Sequence, residues 1–279
     1  MTPRQLYEKV ARKGVRASAS AAASRIAEPV NERVLGPLLS PWRKGQIALF
    51  HVGRSGSSVL ASCLNQHSQI YWGGEIFKFY YLDGPYDPLD VLEKERLRAG
   101  RRYFGFEVKP YHLHDTSHSL AGHIEALRRH GVEHFILLRR KNLLRKIVSS
   151  RIASKHRHHI SSDENRKRMK AHMDLDGTFG KWEERSLLDN IDKLAGDYET
   201  ISDSIEGDDH VLELTYEDDI YESPLRAYRK IVDFLGEERE EGEVKLKKTN
   251  PFPVRELIAN FEEVEDYLKG TEHEWMLYA

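Results

Sequence analysis

Short apolar runs alternate with amphipathic stretches along the chain from residue 46 onward. The first run, "QIALFHV", is continuous and is typical of a strand buried on both faces of a parallel sheet. Similar runs predict strands at 103–108, 134–138 and 210–214, and apolar residues at helical spacing predict helices near 119–129, 143–154, 187–205 and 224–235. The alternation predicts an α/β fold: a central parallel sheet flanked by helices, with ligands at the carboxyl ends of the strands.

The segment before the first strand, residues 1–44, differs from the rest of the chain. It places Ile26, Val30 and Val34 at helical spacing and carries a net charge of +6, so the remaining chain carries about −8. We interpret residues 1–44 as a basic, helical N-terminal extension and residues 45–279 as the functional domain. Two interpretations of the extension stay open: an arm that packs on the domain or is disordered, and an amphipathic helix that makes peripheral contact with a membrane surface.

The composition of the 279 residues is that of a soluble globular protein, with 32% charged and 39% hydrophobic residues and a mean hydropathy of −0.62. No run approaches the roughly 20 apolar residues of a membrane span. Cys63 is the only cysteine, which excludes an intrachain disulfide and fits a cytoplasmic location. The acidic body of the chain, without a zinc-finger or ribonucleoprotein-type motif, argues against nucleic-acid binding.

A glycine- and serine-rich turn joins the first strand to the first helix. It consists of Gly53, Arg54, Ser55, Gly56, Ser57 and Ser58. Glycines allow a sharp turn, and the amides at the start of the helix converge on one point, where they can bind phosphate or sulfate. Two residues separate the glycines and no lysine follows, which differs from the loop that binds nucleoside triphosphates. Arg54 supplies a cation instead, because a guanidinium can hold an oxyanion bidentately.

Extended to "GRSGSSVLASCLNQHSQIYWGGEIF", this stretch resembles the 5′-phosphosulfate loop of sulfotransferases that use 3′-phosphoadenosine 5′-phosphosulfate (PAPS), particularly the bacterial and carbohydrate-type enzymes. "FILLRRKNLLRKIVSSRIA" is similar to the 3′-phosphate motif of that family, a strand that ends in arginine followed by a helix with a serine, here Ser149. The usual spacing of eight residues selects Lys141 as the cation, whereas Arg140 lies nine and Arg139 ten residues before Ser149. The motif leaves these three cations as alternatives, with Arg140 and Lys141 preferred.

Three later stretches, "FGFEVKPYHL", "LELTYEDDIYESP" and "KTNPFPVRELIANFEEVEDYLKGTEHEWM", are also similar to bacterial members, so the resemblance spans about residues 46–277. It implies a P-loop NTPase-like sulfotransferase domain that moves a sulfuryl group from PAPS to a hydroxyl of a carbohydrate, glycolipid or other small-molecule acceptor and releases 3′-phosphoadenosine 5′-phosphate (PAP). Arg54 and the amides of residues 55–58 would bind the sulfate and the 5′-phosphate. Arg140 or Lys141, with Ser149, would bind the 3′-phosphate, and no metal is required.

The acceptor hydroxyl needs a base within hydrogen-bond reach. Glu75 is the first candidate, because it follows the second short strand near the mouth of the turn, where the resemblance implies a carboxylate. His112, in "KPYHLHD", is the rival candidate, since an imidazole is neutral near physiological pH. Lys109 is a candidate contact for the sulfate or the acceptor. For each of these residues the alternative is a packing or solvated role.

Two further stretches of the chain are rich in basic residues. "KLKKTNP" at 245–251 can close over a nucleotide or stay solvated, and "KHRHH" at 155–159 is a weak metal signal because no carboxylate or cysteine accompanies it. A P-loop kinase would need a lysine and a metal-binding acid that the motif lacks. The alternative outside enzymes is a nucleotide- or anion-binding module that has lost catalysis.

Overall fold

A computed structural model of the protein describes residues 39–78, 80, 85–113, 116, 118–156, 169–177, 185–248 and 251–279. In these residues one parallel sheet has the strand order β2-β3-β1-β4-β5. Its strands are β1 (Gln46–Phe50), β2 (Ile70–Trp72), β3 (Tyr103–Val108), β4 (His134–Arg139) and β5 (Val211–Thr215). The strands predicted at 103–108, 134–138 and 210–214 are confirmed to within one residue at each end.

Helices connect the strands. The α-helices of the described residues are α1 (Ser57–Leu64), α2 (Pro88–Glu95), α3 (Leu120–Arg129), α4 (Leu143–His156), α5 (Leu187–Ile205), α6 (Pro224–Phe234), α7 (Val254–Leu257) and α8 (Phe261–Leu268), and a π turn covers Tyr216–Ile220. Serine hydroxyls cap two of them: Ser119 accepts from Gly122 N–H at 3.1 Å, and Ser186 accepts from Asp189 N–H at 3.1 Å. Prolines at the first positions of α2 and α6 are preorganised for helix entry.

The helices cover both faces of the sheet, and alternate residues of each strand face opposite layers. On β1, Ala48 and Phe50 belong to one core with apolar residues of α3, α4 and α5, whereas Ile47 and Leu49 belong to a second core with residues of α1 and α6. All five residues of β1 are buried. The continuous apolar run in the sequence therefore reflects a central strand covered on both faces.

The order of the strands reverses at β1. β2 lies beyond β3 on one side of β1, and the chain later crosses to β4 and β5 on the other side. In open α/β sheets, ligands bind in the crevice at the carboxyl ends of the strands where the order reverses. The turn after β1, residues 109–113 after β3 and residues 140–142 after β4 all reach this edge. The α/β fold expected from the sequence, a central parallel sheet flanked by helices, is confirmed by this topology.

The predicted N-terminal extension lies mostly outside the described residues, because residues 1–38 are not among them. The boundary at residue 44 stays a prediction. Lys44 N–H donates to Arg101 O at 3.1 Å, so the chain already contacts the domain at this point. Within the described ranges, no helix combines the length and the apolar character needed to cross a bilayer.

Candidate active site

The glycine–serine turn is wound by left-handed backbone conformations. The φ angle is +86° at Gly53, +56° at Arg54 and +82° at Gly56. A Cβ atom at Gly56 would lie 2.8 Å from Ile220 Cγ2 and 3.0 Å from Tyr216 Cδ2, so glycine is needed for the turn to pack on Tyr216–Ile220. Arg54 is the only non-glycine residue of the described part with a positive φ, a conformation that costs about 1–3 kcal/mol. Surrounding contacts therefore have to hold Arg54 in place.

The amides that follow this turn are open at the start of α1. Helix geometry leaves the N–H groups of a first turn without an intrahelical acceptor. Gly56 precedes α1, and no side chain caps the helix in the described structure. The buried Ser55 hydroxyl donates to Gly53 O at 3.3 Å, so this side chain stabilises the turn. The donors left for an anion are the backbone amides, including those of Ser57 and Ser58.

Arg54, Arg140 and Ser149 form one hydrogen-bonded group. Arg54 Nε donates to Ser149 Oγ at 3.0 Å, and the Arg140 guanidinium donates to Arg54 O. Arg140 is 6% exposed, and its guanidinium lies 4.4 Å from the centre of the Tyr216 ring. Burial lowers the pKa of Arg140 to about 10, and the charges of Arg145 and Arg54 act in the same direction. Arg140 therefore remains charged at neutral pH, directly beside the turn.

The structure separates the three cations that the second motif left open. Lys141 Nζ pairs with Asp218 at 2.6 Å on the surface. Arg139 NH1 pairs with Glu199 at 3.0 Å, and the Arg139 guanidinium lies 5.5 Å from the centre of the Tyr198 ring. Of the three, Arg140 is the one that contacts the turn, although it lies nine rather than eight residues before Ser149.

Lys146 is a site residue that the sequence analysis did not identify. It lies on α4, three residues before Ser149, so both side chains are on the same face of the helix. Burial lowers the pKa of Lys146 to about 8, and the charge of Lys109 adds to this effect. Arg140 and Arg54 act in the same direction. In the described part of the chain no carboxylate lies within 4.0 Å of the Lys146 ammonium group. The sequence signal that was available for Lys146 is its spacing of three residues from Ser149.

Glu75, Lys109 and His112 form a second group on the other side of the turn. Glu75 follows β2, and Lys109 and His112 follow β3, so the parallel pairing of these strands brings the three side chains together. Glu75 Oε2 lies 2.7 Å from Lys109 Nζ and 3.7 Å from His112 Nε2. Lys109 also borders the turn, because a Cβ atom at Gly53 would lie 3.9 Å from Lys109 Cε. The two candidate bases are therefore neighbours.

The ionisation of this second group follows from its surroundings. Burial by itself would raise the pKa of Glu75, but the neighbouring His112 and the charges of Lys109 and Lys78 outweigh it and hold this pKa far below its usual range. Burial lowers the pKa of His112 to about 4, although Glu75 opposes this shift. At neutral pH Glu75 is thus an anion paired with Lys109, and His112 is a neutral imidazole.

Parts of the two weaker motifs lie outside the described residues. These parts are residues 157–159 of the histidine-rich run and residues 249–250 of "KLKKTNP". In the described portion of "KLKKTNP", Lys248 Nζ lies 3.5 Å from the centre of the Tyr221 ring. Across the described ranges, no group of three or more His, Cys, Asp or Glu side chains is arranged to hold a metal ion.

Two solved structures are similar to this chain in fold. A sulfotransferase from Alicyclobacillus acidocaldarius is 15% identical, with 80% of this chain and 90% of that chain covered and a TM-score of 0.49. Mouse sulfotransferase SULT7A1, solved in complex with PAP, is 15% identical, with 76% of this chain and 67% of that chain covered and a TM-score of 0.41. No protein-family profile and no curated protein sequence matches the chain. The likeness is distant, so the function is inferred from the residues of the site.

Proposed function

We propose that the protein is a sulfotransferase that moves a sulfuryl group from PAPS to a hydroxyl group of an acceptor. The observation that carries this proposal is the convergence of positive charge on the glycine–serine turn at the reversal point of the sheet, supplied by Arg54, Arg140 and Lys146. Open amides, guanidinium groups and an ammonium group are the donors that phosphate and sulfate oxygens require. PAPS presents such oxygens at both its 3′ and 5′ positions.

Each part of this cationic group has a proposed role. Arg54 and the amides of Ser57 and Ser58 would bind the sulfate and the 5′-phosphate. Arg140 and Ser149 would bind the 3′-phosphate. Lys146 is within electrostatic reach of both Lys109 and Arg54, and would add positive charge where the bridging oxygen becomes negative. Because these cations already supply the positive charge, the proposed step uses no metal.

The proposed reaction is an in-line displacement at sulfur. The acceptor oxygen forms a bond to sulfur while the bond from sulfur to the bridging phosphate oxygen breaks, which leaves PAP. The hydroxyl proton passes to the Glu75–His112 pair. At neutral pH Glu75 is an anion paired with Lys109 at 2.7 Å and His112 is a neutral imidazole, so each has an atom that can accept the proton. Glu75 remains the first candidate and His112 the rival within this pair.

We further propose a carbohydrate, a glycolipid or another small hydroxylated molecule as the acceptor, in the cytoplasm. The resemblance of the turn to carbohydrate-type enzymes supports this choice. The basic segment 1–44 supports an enzyme that visits membrane surfaces, where glycolipid acceptors are located.

Incubation with PAPS and a panel of hydroxylated acceptors, followed by mass spectrometry, tests the function. The expected result is an acceptor that gains the mass of one sulfuryl group with the wild-type protein and not with Arg54→Ala. PAP binding without transfer to any acceptor would instead support a nucleotide-binding module. Phosphate transfer from ATP with magnesium would support the kinase alternative.

Calorimetry with PAP and AMP tests the donor assignment. AMP differs from PAP in lacking the 3′-phosphate, so the contacts from Arg140 and Ser149 should make PAP bind at least about tenfold more tightly. Equal affinity for the two nucleotides would contradict the role of Arg140 and Ser149. Inorganic sulfate as a competitor reports on the oxyanion subsites without the contribution of the adenosine group.

A further inference from the structure

A buried polar pair lies directly beneath the glycine–serine turn and has no place in the proposed transfer step. His51 follows β1 and is 0% exposed, and Glu107 on β3 is 3% exposed. His51 Nε2 lies 3.0 Å from Glu107 Oε2, and Trp72 Nε1–H donates to Glu107 Oε1 at 3.2 Å. On the other side of the ring, Gly53 N–H donates to His51 Nδ1 at 3.2 Å. One imidazole and one carboxylate thus connect the turn to β3 and β2.

These partners determine the tautomer of His51. Gly53 N–H can only donate, so Nδ1 has to be the acceptor and carries no proton. Nε2 then carries the proton and donates it to the Glu107 carboxylate. In an imidazolium or in the Nδ1–H tautomer, the proton on Nδ1 would face the N–H of Gly53. A buried donor would then have no acceptor. His51 is therefore neutral, with its proton on Nε2.

Glu107 is the group that selects this tautomer. An ionised carboxylate accepts from both His51 and Trp72. A carboxamide in the same place would have to turn its NH₂ group toward one of these two donors.

We propose that His51 and Glu107 are positioning residues for the glycine–serine turn: His51 holds the Gly53 amide, and Glu107 holds His51 in the tautomer that can accept from it. The Gly53 amide is therefore directed to His51, and the left-handed conformation is maintained at Arg54, where it is costly. In this conformation Arg54 reaches Ser149 at 3.0 Å. The consequence for nucleotide binding rests on the proposed function, whereas the hydrogen-bonded chain does not.

Two substitutions of His51 separate its two hydrogen bonds. In His51→Asn the side-chain carbonyl can take the place of Nδ1 and accept from Gly53, while the contact with Glu107 is lost. In His51→Gln the terminal amide can take the place of Nε2 and donate to Glu107, while the acceptor for Gly53 is lost. The two variants are matched in polarity and differ in which bond survives. Glu107→Gln removes the group that selects the tautomer.

Nuclear magnetic resonance tests the hydrogen-bonded chain without any ligand. In wild-type protein with ¹⁵N-labelled histidine we expect, near neutral pH, the ring shifts of a neutral imidazole protonated on Nε2. Hydrogen exchange of the Gly53 amide should be slow in the wild type and in His51→Asn, and at least about tenfold faster in His51→Gln and Glu107→Gln. An imidazolium or Nδ1–H signal in the wild type, or equal Gly53 exchange in both His51 variants, would overturn the proposal.

PAP affinity connects this chain of contacts to the proposed function. We expect His51→Asn to bind PAP within about threefold of the wild type and His51→Gln to bind about tenfold more weakly. Thermal unfolding of both variants shows whether a difference in global stability accounts for this result. Equal PAP affinity in two equally stable variants with different Gly53 exchange would overturn the positioning role. Wild-type protein that fails to bind PAP would contradict the proposed function, while the tautomer and the exchange rates still decide the structural claim.

Discussion

The two sides of the glycine–serine turn carry different arrangements of charge. On the β4 side, Arg140 donates to a backbone carbonyl and packs on an aromatic ring, and Lys146 has no carboxylate within 4.0 Å among the described residues. On the β3 side, Glu75 and Lys109 pair at 2.7 Å, with His112 beside them. The β4 side thus presents two cations that have no carboxylate within 4.0 Å among the described residues, although the charges of Glu217 and Asp197 act on them from farther away, whereas the β3 side pairs its anion with a cation.

This difference suits two different tasks. A site that binds an anion gains from buried positive charge, because the anion then replaces solvent as the partner of that charge. A site that receives a proton needs groups whose protonation can change as the reaction proceeds. Substitutions on the β4 side should therefore weaken nucleotide binding, and substitutions on the β3 side should slow transfer with little change in nucleotide binding.

Arg54→Ala should have the largest effect, because it removes the guanidinium that belongs to the turn itself. We expect kcat/KM for sulfuryl transfer, followed by mass spectrometry, to fall about 10²–10³-fold, the usual consequence of removing one donor to a developing negative charge. Arg54→Lys is the matched control, since it retains the charge but not the bidentate geometry, and should recover part of the loss. Unchanged kcat/KM in Arg54→Ala would exclude the turn from the reaction.

Glu75→Gln should have the next largest effect. It tests most directly whether the β3 side serves transfer and the β4 side serves nucleotide binding. We expect kcat to fall about 10²-fold, as for a lost base, while PAP affinity stays within about threefold. His112→Asn is the comparison variant. A rate carried by neutral His112 should be constant through the neutral range and should fall as the pH drops through its pKa of about 4, because the protonated ring cannot accept a proton. A loss of PAP affinity equal to the loss in kcat would contradict the division between the two sides.

Lys146→Met should weaken PAP binding by about tenfold, since it removes one charged donor from the β4 side. The pKa of Lys146 is about 8 in the free protein, so its charge is present below that pH and is lost above it. PAP affinity of the wild type, measured by calorimetry, should accordingly fall as the pH rises through about 8. Lys146→Arg should lack this fall because arginine does not titrate there. The same pH dependence in Lys146→Met would assign the titration to another group.

Lys141→Ala should have the smallest effect, less than about threefold on PAP affinity. Its ammonium group is exposed and paired with Asp218, and exposed pairs contribute little. This variant tests the choice between Lys141 and Arg140 as the cation for the 3′-phosphate. Lys141 has the spacing that the sequence motif favours, but it lacks the contact that Arg140 makes with the turn. A loss of PAP affinity as large as that in Lys146→Met would assign the contact with the 3′-phosphate to Lys141.

Much of the fold could be predicted from the sequence, because strands buried on both faces leave continuous apolar runs. The predicted strands agree with β3, β4 and β5, and the predicted helices agree with α3, α5 and α6 to within a few residues. The sequence analysis does not identify α2, α7 and α8, which have eight, four and eight residues. In these three helices the apolar positions are too few for a helical period to be distinct, whereas the equally short α1 directly follows the glycine–serine turn.

The candidate site could be predicted only in part. Glycines and serines between a strand and a helix identify the turn from local chemistry. The choice among Arg139, Arg140 and Lys141 could not be made, because one residue of spacing at a strand end changes which side chain faces the turn. Lys146 was missed because it is one of several basic residues on α4, and its three-residue spacing from Ser149 was its one distinguishing feature.

By itself the sequence predicted a parallel sheet with a glycine–serine turn at its carboxyl edge, because the hydrophobic period and the placement of glycines are local patterns of a few neighbouring residues. Only the tertiary structure decided the partners of that turn. His51 and Glu107 are 56 residues apart, and Arg54 and Ser149 are 95 residues apart. These contacts exist because β3 and β4 flank β1, and that strand order is set by how the helices pack on the two faces of the sheet rather than by any local pattern.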